Sequence, residues 1–413
     1  CTQESWVAKG TYKPGTLQTD SFKIPADIIL LGGFNGIETN ANERNWAANP
    51  TILSGDLNNN DTANAGDSHT IITALQSNII IDGFIIKNSF ADDDTDNSLT
   101  AIGRTGGGMY TRSAENLKIK NCIFNNNIAH GNGTDSGIGG ALVHFGNAST
   151  NTIITNSLFY NNTASANGGA ISIEGGTVNL INATLANNDA TKGGGAHFFN
   201  GSMVATNSIF ANNSGINGNI NDGSPSGGGT GTLDYCSVFN GDVSSEITQT
   251  NTITRDPLFT DAANNDYTLQ NNSPLIDAGD NAAASESLDL AGNTRIHEST
   301  IDIGAYEVQC NAFLATALTT YTIQLDATGN YTLTSTEKNA IVAGSTGSDL
   351  SFTFSQETFT CANISSVNIT VTIADACTGS SEDKTITITV QDTVNPTAVT
   401  QNITVQLDAS GSV

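Results

Sequence analysis

Side chains that could do chemistry gather in a few loops of this chain. The stretch "ADDDTDN" offers Asp92, Asp93, Asp94 and Asp96. "GDLNNNDTANAGD" offers Asp56, Asn58, Asn60, Asp61 and Asp67. Hard oxygen ligands at alternate positions suit Ca2+, so both loops are candidate calcium sites, although neither has the central Gly and final Glu of an EF-hand. The plain alternative is a solvated acidic loop. His144 and His197 each follow a Gly pair at different offsets, which predicts surface or ladder positions rather than a shared metal. Tyr160 directly follows an apolar strand residue, so alternation points it outward, where a phenol ring could stack on a sugar.

Hydrolysis of a glycoside needs two carboxylates facing one another across a cleft. Elimination from a uronate needs an Arg or Lys base beside carboxylates that hold calcium. The middle of the chain is almost without cations, Lys192 standing alone over a long stretch. "RIH" (Arg295 to His297) has no acidic partner motif near it. No catalytic residue is assigned, and the expectation is a protein that is not an enzyme.

The bulk composition agrees. Acidic residues outnumber basic ones 40 to 14 in 413 residues, for a net charge of -26. Nucleic acid and anionic lipid both need clustered cations, so neither is an expected partner. No apolar run is long enough for a membrane helix, and direct membrane insertion is not expected. The first residues, "CTQESWVAKG", lack the basic and apolar regions of a signal peptide. Abundant Asn, Thr, Ser and Gly with scarce Lys suggest an extracellular protein. Of the six cysteines, Cys122 sits in an apolar phrase and reads as a small buried thiol. Cys310, Cys361 and Cys377 are candidates for a disulfide in a secreted module, but three leave one over and the pairing stays open.

What must position these groups is a repeat. Phrases such as "NCIFNNN", "NSLFYNN", "NATLANN" and "NSIFANN" recur. Aligned on Asp82, Asn121, Asn156, Asn182, Asn207 and Tyr235, they are spaced by 39, 35, 26, 25 and 28 residues. Three positions on stand Ile85, Phe124, Phe159, Leu185, Phe210 and Val238, all apolar. Five positions on stand Lys87, Asn126, Asn161, Asn187, Asn212 and Asn240. Gly pairs follow, in "GGGMY", "GGALVHF", "GGAISI" and "GGGAHFF". Short β-branched and aromatic segments divided by Gly and Asn read as strands, and a short period with two or three strands predicts stacked parallel coils. In such a stack the apolar residues form an interior ladder. The asparagines form a turn ladder, tolerating left-handed φ and bonding to their copies above and below. The extra residues fall between the Asn and Gly landmarks, in the loops Ser89 to Thr105, Ile128 to Ile138 and Ser214 to Thr232. Stacking predicts all three on one side, as candidate ligand-binding loops alongside Tyr160.

The "FxxN" and "GGA" phrases resemble the repeats of chlamydial polymorphic membrane proteins, which are β-helical adhesins. "WVAKGTYKPG", "LLGGFNGIETNANERNWAANPTILSGD", "DPLFTDAANNDYTLQNNSPLIDAGD" and "DLAGNTRIHESTIDIGAYE" resemble segments of β-helical surface proteins of Bacteroidota. That resemblance covers roughly residues 5 to 308 and implies an amphipathic capping helix ahead of "WVAKGTY", so that this chain begins inside a longer one. It also implies a pectin-lyase-like fold, which hosts lyases and hydrolases too; "RIH" comes nearest to the basic motif of polygalacturonases. After Cys310 the pattern changes to alternating strands. "TIQLDATGN" returns as "TVQLDASGS", Asp326 and Asp408 lying 82 residues apart, and resembles the tandem hyalin-type repeats of bacterial adhesins. The combination is similar to flavobacterial gliding-motility adhesins exported by type IX secretion.

The fold expected is all-β. A right-handed parallel β-helix of about ten coils spans residues 1–309, with closing coils over about 256–309. An Ig-like β-sandwich follows over 310–395, and a second repeat starts over 396–413. The function expected is that of a non-catalytic segment of a secreted cell-surface adhesin, presenting loops to surface glycans or proteins. Secretion or motility machinery would be engaged through other parts of the chain, and calcium is the one cofactor considered. A carbohydrate-active enzyme on the same fold and a passive structural spacer are the alternatives.

Overall fold

The chain runs through four parallel sheets in a repeating itinerary. The strand Leu117–Lys120 lies in a nine-stranded sheet, Ile123–Asn125 in an eight-stranded sheet, Ile128–Ala129 in a five-stranded sheet and Leu142–Phe145 in a seven-stranded sheet. The next pass begins with Asn151–Thr155 back in the first sheet. Each strand pairs in parallel with its counterparts one pass before and one pass after. This computed structural model describes residues 2–93, 95, 101–131, 136–223, 229–297, 299–311, 313–394, 401, 403–406 and 408–412. The chain divides into two compact units, Cys1–Gln309 and Cys310–Val413.

The repeat becomes physical in the interior of the first unit. Ile86, Phe124, Phe159, Leu185, Phe210 and Val238 are register partners in the eight-stranded sheet and belong to one buried core. The Phe124 and Phe159 rings stack with centroids 4.7 Å apart. The first rung corrects the sequence alignment by one residue. Lys120 pairs with Asp82, and Phe124 pairs with Ile86 rather than Ile85, because Gly83 takes the corner. The outlier Lys87 then disappears from the asparagine row. Asn88 stands there, and Asn88, Asn126, Asn161, Asn187, Asn212 and Asn240 all have φ between 44° and 62°.

The two roles expected of one asparagine fall to neighbours. The first of each pair takes the left-handed turn, a conformation Asn tolerates because its short side chain bonds locally. The second, fully buried, carries the amide ladder. Asn127 Nδ2 donates to Asn162 Oδ1 at 3.1 Å, Asn162 to Asn188 at 2.9 Å, and Asn188 to Asn213 at 3.0 Å. Each Oδ1 also accepts a backbone N–H of the preceding pass, as from Asn162 to Asn188 at 3.0 Å. Buried amides are tolerated here because all their bonding capacity is used along the ladder. The Gly pairs do turn the chain. Gly168 has φ 65°, and a Cβ on Gly169 would come within 2.5 Å of the Asp189 carbonyl oxygen.

Residues 256–308 do not extend the stack as coils. The last strand of the nine-stranded sheet is Ile247–Thr250. The following segment forms an antiparallel hairpin, Phe259–Asp261 with Asp266–Leu269, and lies against the outer face of the eight-stranded sheet. Leu158, Ala186, Ile209 and Ala211 of that face pack with Phe259, Tyr267, Leu275 and Ile303 in a second core. The segment reaches back as far as Trp46, whose Nε1 donates to the Leu290 carbonyl at 2.8 Å. Burial of apolar residues on both sides of one sheet is the reason: its outward positions are small or aliphatic and need a cover.

The second unit is built on a four-stranded mixed sheet of Thr320–Gln324, Leu350–Phe354, Ser365–Asp375 and Ser380–Gln391. A two-stranded ladder and the helix Ser335–Ile341 accompany it. The Thr334 hydroxyl and Glu337 carboxylate cap that helix reciprocally. The disulfide joins Cys310 to Cys377, leaving Cys361 as the odd exposed thiol. The repeated phrase makes the same turn twice. The Asp326 carboxylate accepts from the Thr328 and Asn330 amides at 2.8 and 3.1 Å, and Asp408 accepts from those of Ser410 and Ser412 at 2.9 and 3.0 Å.

Candidate functional site

The acidic loops use most of their oxygens internally. Asp56 accepts from the Asn60 and Asp61 amides at 3.2 and 2.9 Å, and Asn58 and Asn60 accept from amides two residues on. Asp61 forms an ion pair with Lys87 at 2.6 Å, and that contact holds its carboxyl below the usual range. Asp67 accepts from the Leu57 and Asn64 amides, and burial pushes its carboxyl up. In the other loop Asp92 meets His69 Nε2 at 3.3 Å, and Asp93 accepts from the Thr95 hydroxyl and amide. Asp94 and Asp96 lie outside the described residues. Among the described residues no three His, Cys, Asp or Glu side chains converge as a metal cluster.

The three insertions do not share one corner. Those at 89–105 and 128–138 leave the five-stranded sheet and return in the seven-stranded sheet. The third contains strands of both sheets, Ser214–Ile216 and Ile220–Asn221, and its extra residues come after them. Asn217, with φ 47°, stands in place of the first Gly of the pair, which hid that strand in the sequence; Gly193 still donates to the Ile216 carbonyl as the register requires. The second insertion is partly a cover, because Ile138 packs on Tyr110, Val143 and Ala166. Tyr160 does point away from the main core, but the closing segment covers it. Its ring meets Tyr267 at 5.2 Å, and its hydroxyl accepts from Asn125 at 2.8 Å. The residue is half-buried there.

A groove lies elsewhere, over the outer face of the first strands of the seven-stranded sheet. Lys23, Thr73 and Tyr110 are register partners whose neighbours Phe22, Ile72 and Met109 turn inward. Alternation therefore sends Lys23 and Thr73 outward, and with Tyr110 also Arg112, two residues on. Lys23, Thr73 and Arg112 line a groove of about 800 Å³ together with Gln18, His69 and Gln76. Its walls are tied to the sheet. The Thr70 hydroxyl donates to the Ile102 carbonyl at 2.8 Å, and the Thr73 hydroxyl to Ser21 Oγ at 2.8 Å. His69 is 9% exposed, its Nδ1 without a partner and its Nε2 against Asp92. Sequence reading passed over Lys23, Arg112 and His69. The signal available was their rarity, as basic residues in a strongly acidic chain.

Other titratable groups are structural. His144 faces the interior, in register with Ile173 and opposite Thr152, whose hydroxyl lies 3.2 Å from Nδ1. Burial pulls its pKa down to about 4. His197 lies on the outward row with Ser172 and is also buried, 3.8 Å from Glu174. Of the surface or ladder positions expected, both rings take buried ladder positions, on opposite faces of one sheet. Arg295 of "RIH" is buried in the closing segment, with Ile296 and His297 half-buried beside it. Arg295 Nη2 donates to the carbonyls of Asp302 and Gly304, 3.6 Å from Glu307. Asp289, Asp302 and Glu307 each accept backbone N–H bonds. Burial and the charge of Asp302 push Glu307 up to about 8. Cys122 and Cys236 are buried thiols raised to about 12 by desolvation. No helix among the described residues is long and apolar enough to cross a membrane.

No protein-family model matches this chain, and no curated protein matches it.

Proposed function

We propose that this chain is a non-catalytic binding segment of a secreted cell-surface adhesin. Its first unit is read as a right-handed parallel β-helix of about ten coils, and its second as an Ig-like, hyalin-type repeat with a further repeat beginning. The groove on the seven-stranded sheet is the observation that carries the binding role. Hydroxyl, amide and cationic side chains line it, and the nearby carboxylates of Asp92 and Asp93 are engaged by His69 and Thr95. A concavity of mixed polar and apolar lining on a regular sheet, without a facing pair of free carboxylates among the described residues, suits recognition better than bond cleavage. Surface glycans or proteins are the ligands this reading expects, and calcium at residues 92–96 or 56–67 remains an auxiliary proposal. The test is retention of the purified chain on immobilised glycans and surface proteins. Binding without turnover supports the reading; absence of any binding favours a passive spacer. New reducing ends or unsaturated products from polyuronides favour an enzyme. A calcium titration followed by thermal melting tests the loops, and an unchanged melting temperature removes them as sites.

A further inference from the structure

The groove has the wrong charge for its chain. Acidic residues outnumber basic ones 40 to 14 overall. In the groove lining Lys23 and Arg112 stand against Asp93, with His69 beside them. The Thr95 hydroxyl and amide bind Asp93, and the buried guanidinium of Arg104 adds to its stabilisation. Neither Lys23 nor Arg112 forms an ion pair among the described residues, whereas Arg44, Lys87, Lys120 and Arg295 all do. Arg112 instead touches Tyr110, a phenol that burial keeps neutral.

The sheet sets the spacing of these two cations. Lys23 lies two strands from Tyr110, and Arg112 lies two residues further along. Strand separation and rise then put the two Cα atoms roughly 12 Å apart on one face. Side chains of this length can hold one anionic group each at that spacing, an arrangement that a chain with repeated anionic groups satisfies. Gln18, Gln76 and Thr70 supply donors and acceptors for hydroxyls between them. No Phe, Tyr or Trp lines the groove, so it lacks the platform on which neutral sugars stack. Charge-assisted contacts are the strong ones available.

We infer that this groove binds an acidic saccharide chain, with Lys23 and Arg112 each holding one carboxylate or sulfate. The inference rests on the binding role proposed above and names its ligand class. The test is calorimetry on the full chain with polygalacturonate, dextran sulfate, neutral dextran and polyglutamate. The first two separate carboxylate from sulfate as the anion. The expected result is binding of at least one acidic saccharide, weakened by added salt, and none of neutral dextran. The double variant Lys23→Ala, Arg112→Ala should bind about tenfold more weakly or worse, each lost charge-assisted contact counting in that range. Lys118→Ala with Lys192→Ala, removing cations elsewhere, should bind as the parent does. Matching melting curves verify that each variant folds. Equal binding by the groove variant overturns the inference, as does binding of polyglutamate but of neither saccharide. If the acidic saccharides fail while another surface glycan or protein binds, the adhesin reading stands and this inference falls. If nothing binds, both fall.

Discussion

Two outer faces of the first unit differ in a way that separates packing from function. The outward residues of the eight-stranded sheet include Leu158, Tyr160, Ala186, Ile209 and Ala211, and the closing segment covers them. Those of the seven-stranded sheet include Lys23, Thr73, Arg112, Glu174 and His197, and its first strands are left as a groove. The interior ladders that support both faces are alike. Small apolar residues outside a sheet mark a seat for another part of the chain. Long polar residues such as Lys23 and Arg112, which form no ion pair among the described residues, mark a surface kept for something else.

The sharpest way to break this comparison is to unseat the covered face. Tyr267→Ala removes a ring that touches Tyr160 and Phe259 and accepts from Asn187. It should cost about 3–5 kcal/mol in urea unfolding, the range for deleting a buried aromatic ring. Amide exchange over 256–308 should accelerate before exchange in the repeats does. The shared interior should lose somewhat less from a change in its ladder. Asn162→Ala orphans partners in two neighbouring passes and should cost roughly 2–3 kcal/mol. Asn161→Gly, one residue earlier and equally left-handed, should cost only a few tenths of a kcal/mol because glycine accepts that φ freely. The pair of variants, measured together, separates turn from ladder.

pH should divide the covered segment from the interior. Glu307 is raised above its ordinary 4.5 to about 8, so the fold prefers its protonated form. Its contribution is whole below the ordinary value and is lost as pH climbs towards 8. His144 is lowered from 6.5 to about 4, so its contribution is whole above the ordinary value and is lost as pH falls towards 4. Exchange should therefore quicken in 289–308 on the alkaline side and around residue 144 on the acid side. Glu307→Gln should flatten the alkaline limb alone. The smallest effect belongs to the open face. Lys23→Ala with Arg112→Ala should shift unfolding by no more than about 0.5 kcal/mol, as exposed cations without ion-pair partners contribute little to folding. A large loss would mean that these residues pack rather than bind.

The all-β character and the parallel stacking were legible because identical positions must repeat when strands stack. Phe124, Phe159, Leu185 and Phe210 declared the interior by type alone. The register of the earliest repeat was not legible, since "DGFIIKN" admits two alignments and only ladder hydrogen bonds choose between them. Tyr160 illustrates a second limit. Alternation sent it outward correctly, but no local rule says that residues a hundred positions later will cover it. The groove was missed for the same reason. Lys23, His69 and Arg112 are scattered over 90 residues and share no motif.

The sequence by itself determined the period, the inward ladders and the left-handed asparagine corners, because each rests on the steric and apolar preferences of single residues. It also determined the Asp326 and Asp408 turns, which close within five residues. Only the tertiary structure decided which asparagine carries the ladder, which face the closing segment covers, and which cations form no ion pair among the described residues. Those depend on what comes within a few ångströms across distant passes of the chain, and stacking, not sequence proximity, sets those distances.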